Sequence, residues 1–303
     1  MSAAAKPGRS HGAACPDGAG PTWVLLRGLT RERGHWGALP ALLQQGLDLG
    51  CGGAHGRIVA IDLPGNGTLH TLRSPTQIGT TMQACRAQLE AAGLQPPFHV
   101  LAMSMGAMVT VEWAAQHPAE LAACVLINTS MRPFSPWHQR LRPANYGALL
   151  RLALWPQPAH QREQAVLALT TRHAPDAQAV LQAWTQIRQV HPVSAMNALR
   201  QLLAAARYRA PPTPPRVPFL VLASLQDGLV DVACSRRLAR HWQAPIREHA
   251  SAGHDLPLDD GRWVVAQVRD WVRGLSQGVP ERAGGQDIGG VGGPAKVGGG
   301  RGD

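Results

Sequence analysis

Residues 98–115 read Phe-His-Val-Leu-Ala-Met-Ser-Met-Gly-Ala-Met-Val-Thr-Val-Glu-Trp-Ala-Ala, and no other stretch constrains the chain as much. The apolar run at 100–102 predicts a short buried strand that stops at Ser104, where a helical pattern begins. Small residues two places before and two places after the serine, Ala102 and Gly106, permit a sharp strand-to-helix turn of the nucleophile-elbow type. Bulk at either place would strike the neighbouring strand or helix. Such a turn lifts the serine above the sheet at a helix N-terminus, where the dipole favours negative charge. A hydroxyl in that position still needs a base before it is a useful nucleophile.

The surrounding pattern is that of an α/β fold. Apolar runs at 23–26, 57–63, 100–102, 124–127 and 217–223 predict strands, with a last short one at 244–249. Helical patterns of ordinary length separate the first four, from Pro40 to Leu49, from Ser74-Pro75-Thr76 towards Gly93, and after Ser104. Strands alternating with helices imply βαβ units and a mostly parallel central sheet flanked by helices. Functional groups on such sheets gather at the carboxyl ends of the strands. Gly28, the Pro64-Gly65 turn and Ser104 all follow predicted strands.

From Met131 the alternation stops. Residues 148–154, 163–170, 177–190 and 194–208 read as helices with no strand between them. An all-helical insertion before the last strands is expected to form a lid. The expected organisation is therefore a leader at 1–20, an α/β core at 21–130 and 216–275, a helical lid at 131–215 and a glycine-rich disordered tail at 276–303.

Composition narrows the class further. No run approaches the ~18 consecutive apolar residues of a membrane span. The five cysteines, Cys15, Cys51, Cys85, Cys124 and Cys234, are scattered and lack close pairs. That argues against a disulfide framework or a zinc site and favours a reducing, cytoplasmic compartment. No metal and no cofactor is expected.

The formal net charge of +10 comes almost wholly from arginine, since Lys6 and Lys296 are the only lysines. It is also local: residues 131–215 hold ten arginines against Glu163 and Asp176. An anionic partner such as an acyl carrier would be drawn to that segment, whereas codon bias with simple solvation is the plainer account. The basic residues are not interleaved with aromatics in any nucleic-acid recognition motif.

A serine nucleophile needs a histidine, and the histidine an acid, in the chain order Ser, Asp or Glu, His. His254 stands in the glycine-led loop Ala252-Gly253-His254-Asp255, just after the last predicted strand. Asp227 follows the preceding strand. Asp231 is its rival but is better placed to cap the next helix; Asp62 is on the wrong strand, and Asp255 and Asp259 suit loop or capping roles. Ser104, Asp227 and His254 are thus the expected triad, with the N–H groups of Met105 and Leu29 as the donors that would receive an oxyanion. Trp36, Met131 and Trp137 are expected to line a substrate pocket.

These segments together resemble the capped, esterase-like branch of the α/β-hydrolase superfamily. The resemblance is carried by Leu26-Arg27-Gly28-Leu29 with Trp36, Asp62-Leu-Pro-Gly-Asn-Gly67, Ala102-Met-Ser-Met-Gly106, Ser224-Leu-Gln-Asp227 and Gly253-His254-Asp255. The stretches Asn128-Thr-Ser-Met-Arg-Pro-Phe134 and His254-Asp-Leu-Pro-Leu-Asp-Asp260 resemble a bacterial group within it. Arg27, Ala102 and Ser224 depart from the histidine, glycine and glycine usual at those places. The resemblance implies hydrolysis of a carboxylic ester or thioester. Cofactor-free haloperoxidase chemistry, C–C bond hydrolysis and non-catalytic ligand binding on the same fold are the alternatives.

Overall fold

The computed structural model describes residues 20–47 and 56–278. The leader expected over 1–20 and the tail expected over 276–303 lie outside the described residues except at their inner edges, as do Cys15 and Cys51.

Among the described residues, six strands form one parallel sheet: β1 (Thr22–Leu26), β2 (Arg57–Ile61), β3 (Phe98–Met103), β4 (Leu121–Ile127), β5 (Phe219–Ser224) and β6 (Ile246–His249). Their order across the sheet is β2-β1-β3-β4-β5-β6. The four inner strands are near-continuous apolar runs because both faces are covered, as parallel sheets require. The polar β6, Ile-Arg-Glu-His, can only be an edge.

Alternation along each strand feeds two cores. On one face Val24, Leu26, Val100 and Ala102 pack against helices α2 (Ile78–Ala91), α3 (Met105–Gln116) and α9 (Val232–Trp242). On the other, Trp23, Leu25, Leu101 and Met103 meet α1 (Leu39–Gly46) and α11 (Gly261–Ser276). The short α10 (Leu256–Asp259) precedes α11. Helix α3 is apolar nearly all round and correspondingly buried. Cys85, Cys124 and Cys234 are free thiols inside the fold, and burial pushes Cys85 up to about 12.

Residues 131–215 contain helices α4 (Trp137–Arg140), α5 (Tyr146–Leu154), α6 (Ala159–Thr170), α7 (Ala177–Val190) and α8 (Ala195–Arg207), between β4 and β5. This insertion is pinned to the loops that follow the strands. Gln201 accepts from Thr30 N–H at 2.8 Å and donates to Asn66 Oδ1 at 2.7 Å. Glu163 pairs with Arg31 at 2.5 Å, and Asp255 N–H donates to Thr170 O at 2.7 Å.

Several boundaries differ from the sequence reading by a few residues, among them the starts of β4 and α6, and one of them has a clear tertiary cause. Helix α2 starts at Ile78 and not at Ser74-Pro75-Thr76. Ser74 is fully buried and already committed: its hydroxyl donates to Pro64 O at 2.8 Å and its N–H to Asn197 Oδ1 at 2.9 Å. A tertiary contact has overridden a local helix-start signal.

Candidate active site

Strand β3 ends at Met103 and α3 begins at Met105, so Ser104 alone makes the turn, with φ 54° and ψ −118°. A non-glycine residue in such a conformation costs of order 1–3 kcal/mol and persists only where its surroundings dictate it. Ser104 N–H donates to Ile127 O at 2.9 Å, and Ser104 O accepts from Thr129 Oγ1 at 3.0 Å. The close packing explains the small flanking residues. A Cβ on Gly106 would lie 2.5 Å from Leu26 O and 2.6 Å from Arg27 O.

The turn after β1 lies directly against the elbow. A Cβ on Gly28 would come within 3.0 Å of Ser104 Cβ and 3.4 Å of its Oγ. That turn is closed by Arg31 N–H donating to Gly28 O at 3.3 Å, with Leu29 inside it. Met105, the first residue of α3, carries one of the N–H groups a helix leaves without an intrahelical partner. Both main-chain segments expected to supply donors thus border Ser104.

Asp227 and His254 are brought together. Asp227 Oδ2 is 2.7 Å from His254 Nδ1, while Oδ1 accepts from Leu229 N–H at 2.8 Å and Val230 N–H at 2.9 Å. The two backbone bonds fix the carboxylate, and the carboxylate fixes the ring; both residues are buried. Burial opposes charge on the imidazole, but Asp227 and, behind it, Asp255 together raise the His254 pKa above the ordinary histidine value. With Nδ1 hydrogen-bonded to Asp227, Nε2 is left as the basic nitrogen.

Asn128 joins the serine and histidine segments. Its side-chain amide donates to His254 O at 2.8 Å, Gly253 O at 3.2 Å and Ser224 Oγ at 2.9 Å, and its carbonyl accepts from Ser224 N–H at 2.8 Å. Asn128 adopts φ 44°, a left-handed conformation asparagine tolerates better than most residues. Its neighbour Thr129 is the residue that holds Ser104 O.

Three features escaped the sequence reading. Asn128 belongs to a stretch that carries only a family resemblance in the sequence. Asp255 makes a buried two-point ion pair with Arg27, at 3.0 and 2.6 Å, which goes beyond a loop role. Asp259 accepts from Gly253 N–H at 2.6 Å and from Arg172 N–H and His173 N–H at 3.0 and 2.9 Å, so it ties the histidine loop to the end of α6.

The rivals fall elsewhere. Asp231 caps α9 by accepting from Ala233 N–H at 2.9 Å. Asp62 ties its own turn to the segment after β1, accepting from Thr68 N–H at 3.0 Å and from Arg33 N–H at 2.8 Å. Of the expected pocket residues, Met131 packs in one core and Trp36 in the other, beneath the Arg27 guanidinium at 4.9 Å. Trp137 is 68% exposed and stacks on Tyr146, so it is a surface residue in this arrangement. Among the described residues, no group of three or more His, Cys, Asp or Glu side chains could hold a metal ion.

The model of the alpha/beta hydrolase family matches residues 23–267, which takes in the whole of this site and all of the described strands except Thr22. The chain belongs to that family. Its curated relatives within the family include a pimeloyl-[acyl-carrier protein] methyl ester esterase of Aromatoleum aromaticum, 28% identical over 264 residues, covering 84% of this chain and 99% of that protein. A monoacylglycerol lipase of Mus musculus is 21% identical over 264 residues, covering 83% of this chain and 75% of that protein. Among solved structures, a putative lipase from Acinetobacter baumannii aligns with TM-score 0.68 at 20% identity over 86% of this chain and 85% of its own. An enol-lactonase from Burkholderia xenovorans aligns with TM-score 0.66 at 20% identity, covering 84% and 92%. These two structural likenesses bear on the fold alone.

Proposed function

We propose that this member of the family is a serine hydrolase that cleaves a carboxylic ester or thioester through an acyl-serine intermediate. The observation that carries the reading is the buried 2.7 Å contact of Asp227 with His254, whose main chain is stitched to that of the strained Ser104 through Asn128 and Thr129. In the first half-reaction Ser104 Oγ attacks the acyl carbon while His254 Nε2 takes its proton. Asp227 holds the imidazolium, and the N–H groups of Leu29 and Met105 donate to the oxyanion. The proton passes to the departing alkoxide or thiolate. Water then attacks the acyl-serine, His254 takes its proton, and the same proton returns to Ser104 as the acid leaves.

In this reading helices α4–α8 form the lid, and their polar links to the loops after β1, β2 and β6 set its position. The test is turnover of short p-nitrophenyl esters and thioesters by Ser104→Ala, which is expected to fall to the uncatalysed background; undiminished turnover overturns the reading.

A second reading concerns the acyl group's carrier. The name of the Aromatoleum relative and the exposed Arg132, Arg151, Arg207 and Arg209 support an anionic carrier docking at the lid. The remaining arginines of the insertion are largely engaged within the fold: Arg140 donates to Ala205 O, Arg188 pairs with Glu163, and Arg200 donates to Ser74 O. Turnover of a carrier-bound ester that is unaffected by salt removes this reading, since screening weakens exposed charge attraction.

A further inference from the structure

Arg27 and Asp255 stand 228 positions apart in the chain and meet through two parallel hydrogen bonds, Nη1 to Oδ1 at 3.0 Å and Nη2 to Oδ2 at 2.6 Å. Each side chain is only 2% exposed. Arg27 immediately precedes Gly28, and Asp255 immediately follows His254. Arg27 Nη1 also reaches Met103 Sδ, 3.5 Å away, on the residue just before Ser104. One guanidinium therefore touches the neighbours of the serine and the histidine while standing next to the oxyanion turn.

Stability alone does not account for such a pair. Removing two charges from water carries a large desolvation cost, and well-packed apolar replacements are often as stable or more so. What a two-point Arg–carboxylate contact adds is orientation. We propose that the Arg27–Asp255 pair is a positioning device that holds the elbow, the oxyanion turn and the His254 loop in one register and keeps the electric field at the imidazole balanced. The inference rests on the serine-hydrolase reading above and deepens it.

The charged groups that face His254 come from three elements: Asp227 after β5, Asp255 on its own loop and Arg27 after β1. Farther out, Arg31 acts on Asp255. Around Gly253 stand Asp259 of α10 and the Arg172 side chain beyond α6. Asp255 favours the imidazolium and Arg27 opposes it, so their effects on the base are opposite in sign.

That opposition gives a test a merely structural pair would fail. The pH profile of kcat/KM is measured for D255N, for R27M/D255N and for R27K, each checked for folding by circular dichroism. In D255N the cation remains without its partner, so the acid limb is expected to move to lower pH by roughly one unit. In R27M/D255N both charges are gone, and the limb is expected back near its wild-type position with kcat reduced. R27K keeps the charge but loses the fork; kcat is expected to fall about tenfold with KM and the limb little changed.

A D255N limb that stays in place, or moves to higher pH, overturns the proposal, as does wild-type kcat in R27K. If D255N does not fold, the R27K comparison decides. Ser104→Ala separates the two levels. An active Ser104→Ala removes the underlying reading, whereas an inert one with an unmoved D255N limb removes this inference alone.

Discussion

Asn128 donates its side-chain amide to the carbonyl of His254 at 2.8 Å, from a buried position between β4 and the insertion. The bond matters because the histidine loop has little regular structure of its own. Asn128 also grips Gly253 O and the N–H and hydroxyl of Ser224, so four bonds from one side chain link β4, β5 and the loop. Replacing it with aspartate would aim a buried carboxylate at two carbonyl oxygens. We expect Asn128→Asp to lower stability by about 3 kcal/mol or more and kcat by at least tenfold, while Asn128→Ala costs less. Urea denaturation with parallel ester kinetics measures both.

Asp227→Asn keeps the shape of the side chain but can present an N–H to His254 Nδ1 and so favour the wrong tautomer. Turnover is expected to fall by roughly 10³–10⁴ with KM little altered. A loss of tenfold or less would mean that Asp227 does not orient the base.

The pH dependence has a definite sign. Asp227, acting against burial, raises the His254 pKa, which favours the charged ring in the folded state. A general base has to be neutral to act. Activity is therefore expected to appear only as pH rises past a midpoint above the ordinary histidine value of about 6.5. The imidazolium–Asp227 pair contributes stability with the opposite pH sense: it is fully present below the unfolded-state value and lost as pH rises through the raised one. A kcat/KM profile with its acid limb below the ordinary value would contradict this assignment.

At the elbow the constraint is steric. Gly106→Ala places a methyl 2.5 Å from Leu26 O, a backbone atom held in the central sheet. We expect a loss of about 2–3 kcal/mol in stability together with most of the activity. Gly28→Ala is milder, because the approach to Ser104 Cβ is 3.0 Å. Its main effect is expected on kcat, since the intruding methyl comes within 3.4 Å of the Ser104 hydroxyl. Thermal melts and kinetics on both variants distinguish the two patterns.

How much of this could be read beforehand follows from the range of each interaction. Ser104, Asp227 and His254 each sit in a loop directly after a strand, and small or glycine neighbours mark those turns in local sequence. The inner strands were legible because burial on both faces makes them continuous apolar runs. Arg27–Asp255 and Asn128–Ser224 were not, because their partners are 228 and 96 residues apart and arginine or asparagine in a loop carries no mark of its partner. The start of α2 differs from its sequence signal for a related reason: Ser74 has the character of a helix cap but is consumed by Pro64 and Asn197. Arg140, Arg188 and Arg200 contribute to the segment's positive charge in sequence, yet in the fold they serve to fasten helices to carbonyls and a carboxylate.

The most direct measurement is peptide-mapped labelling of the protein by a fluorophosphonate, compared with His254→Ala and with Ser104→Ala. The phosphorus is attacked only by an activated hydroxyl. We expect one adduct, on the peptide containing Ser104, much slower in His254→Ala and missing in Ser104→Ala. Labelling at another residue, or at Ser104 with the same rate when the imidazole is gone, would contradict the account.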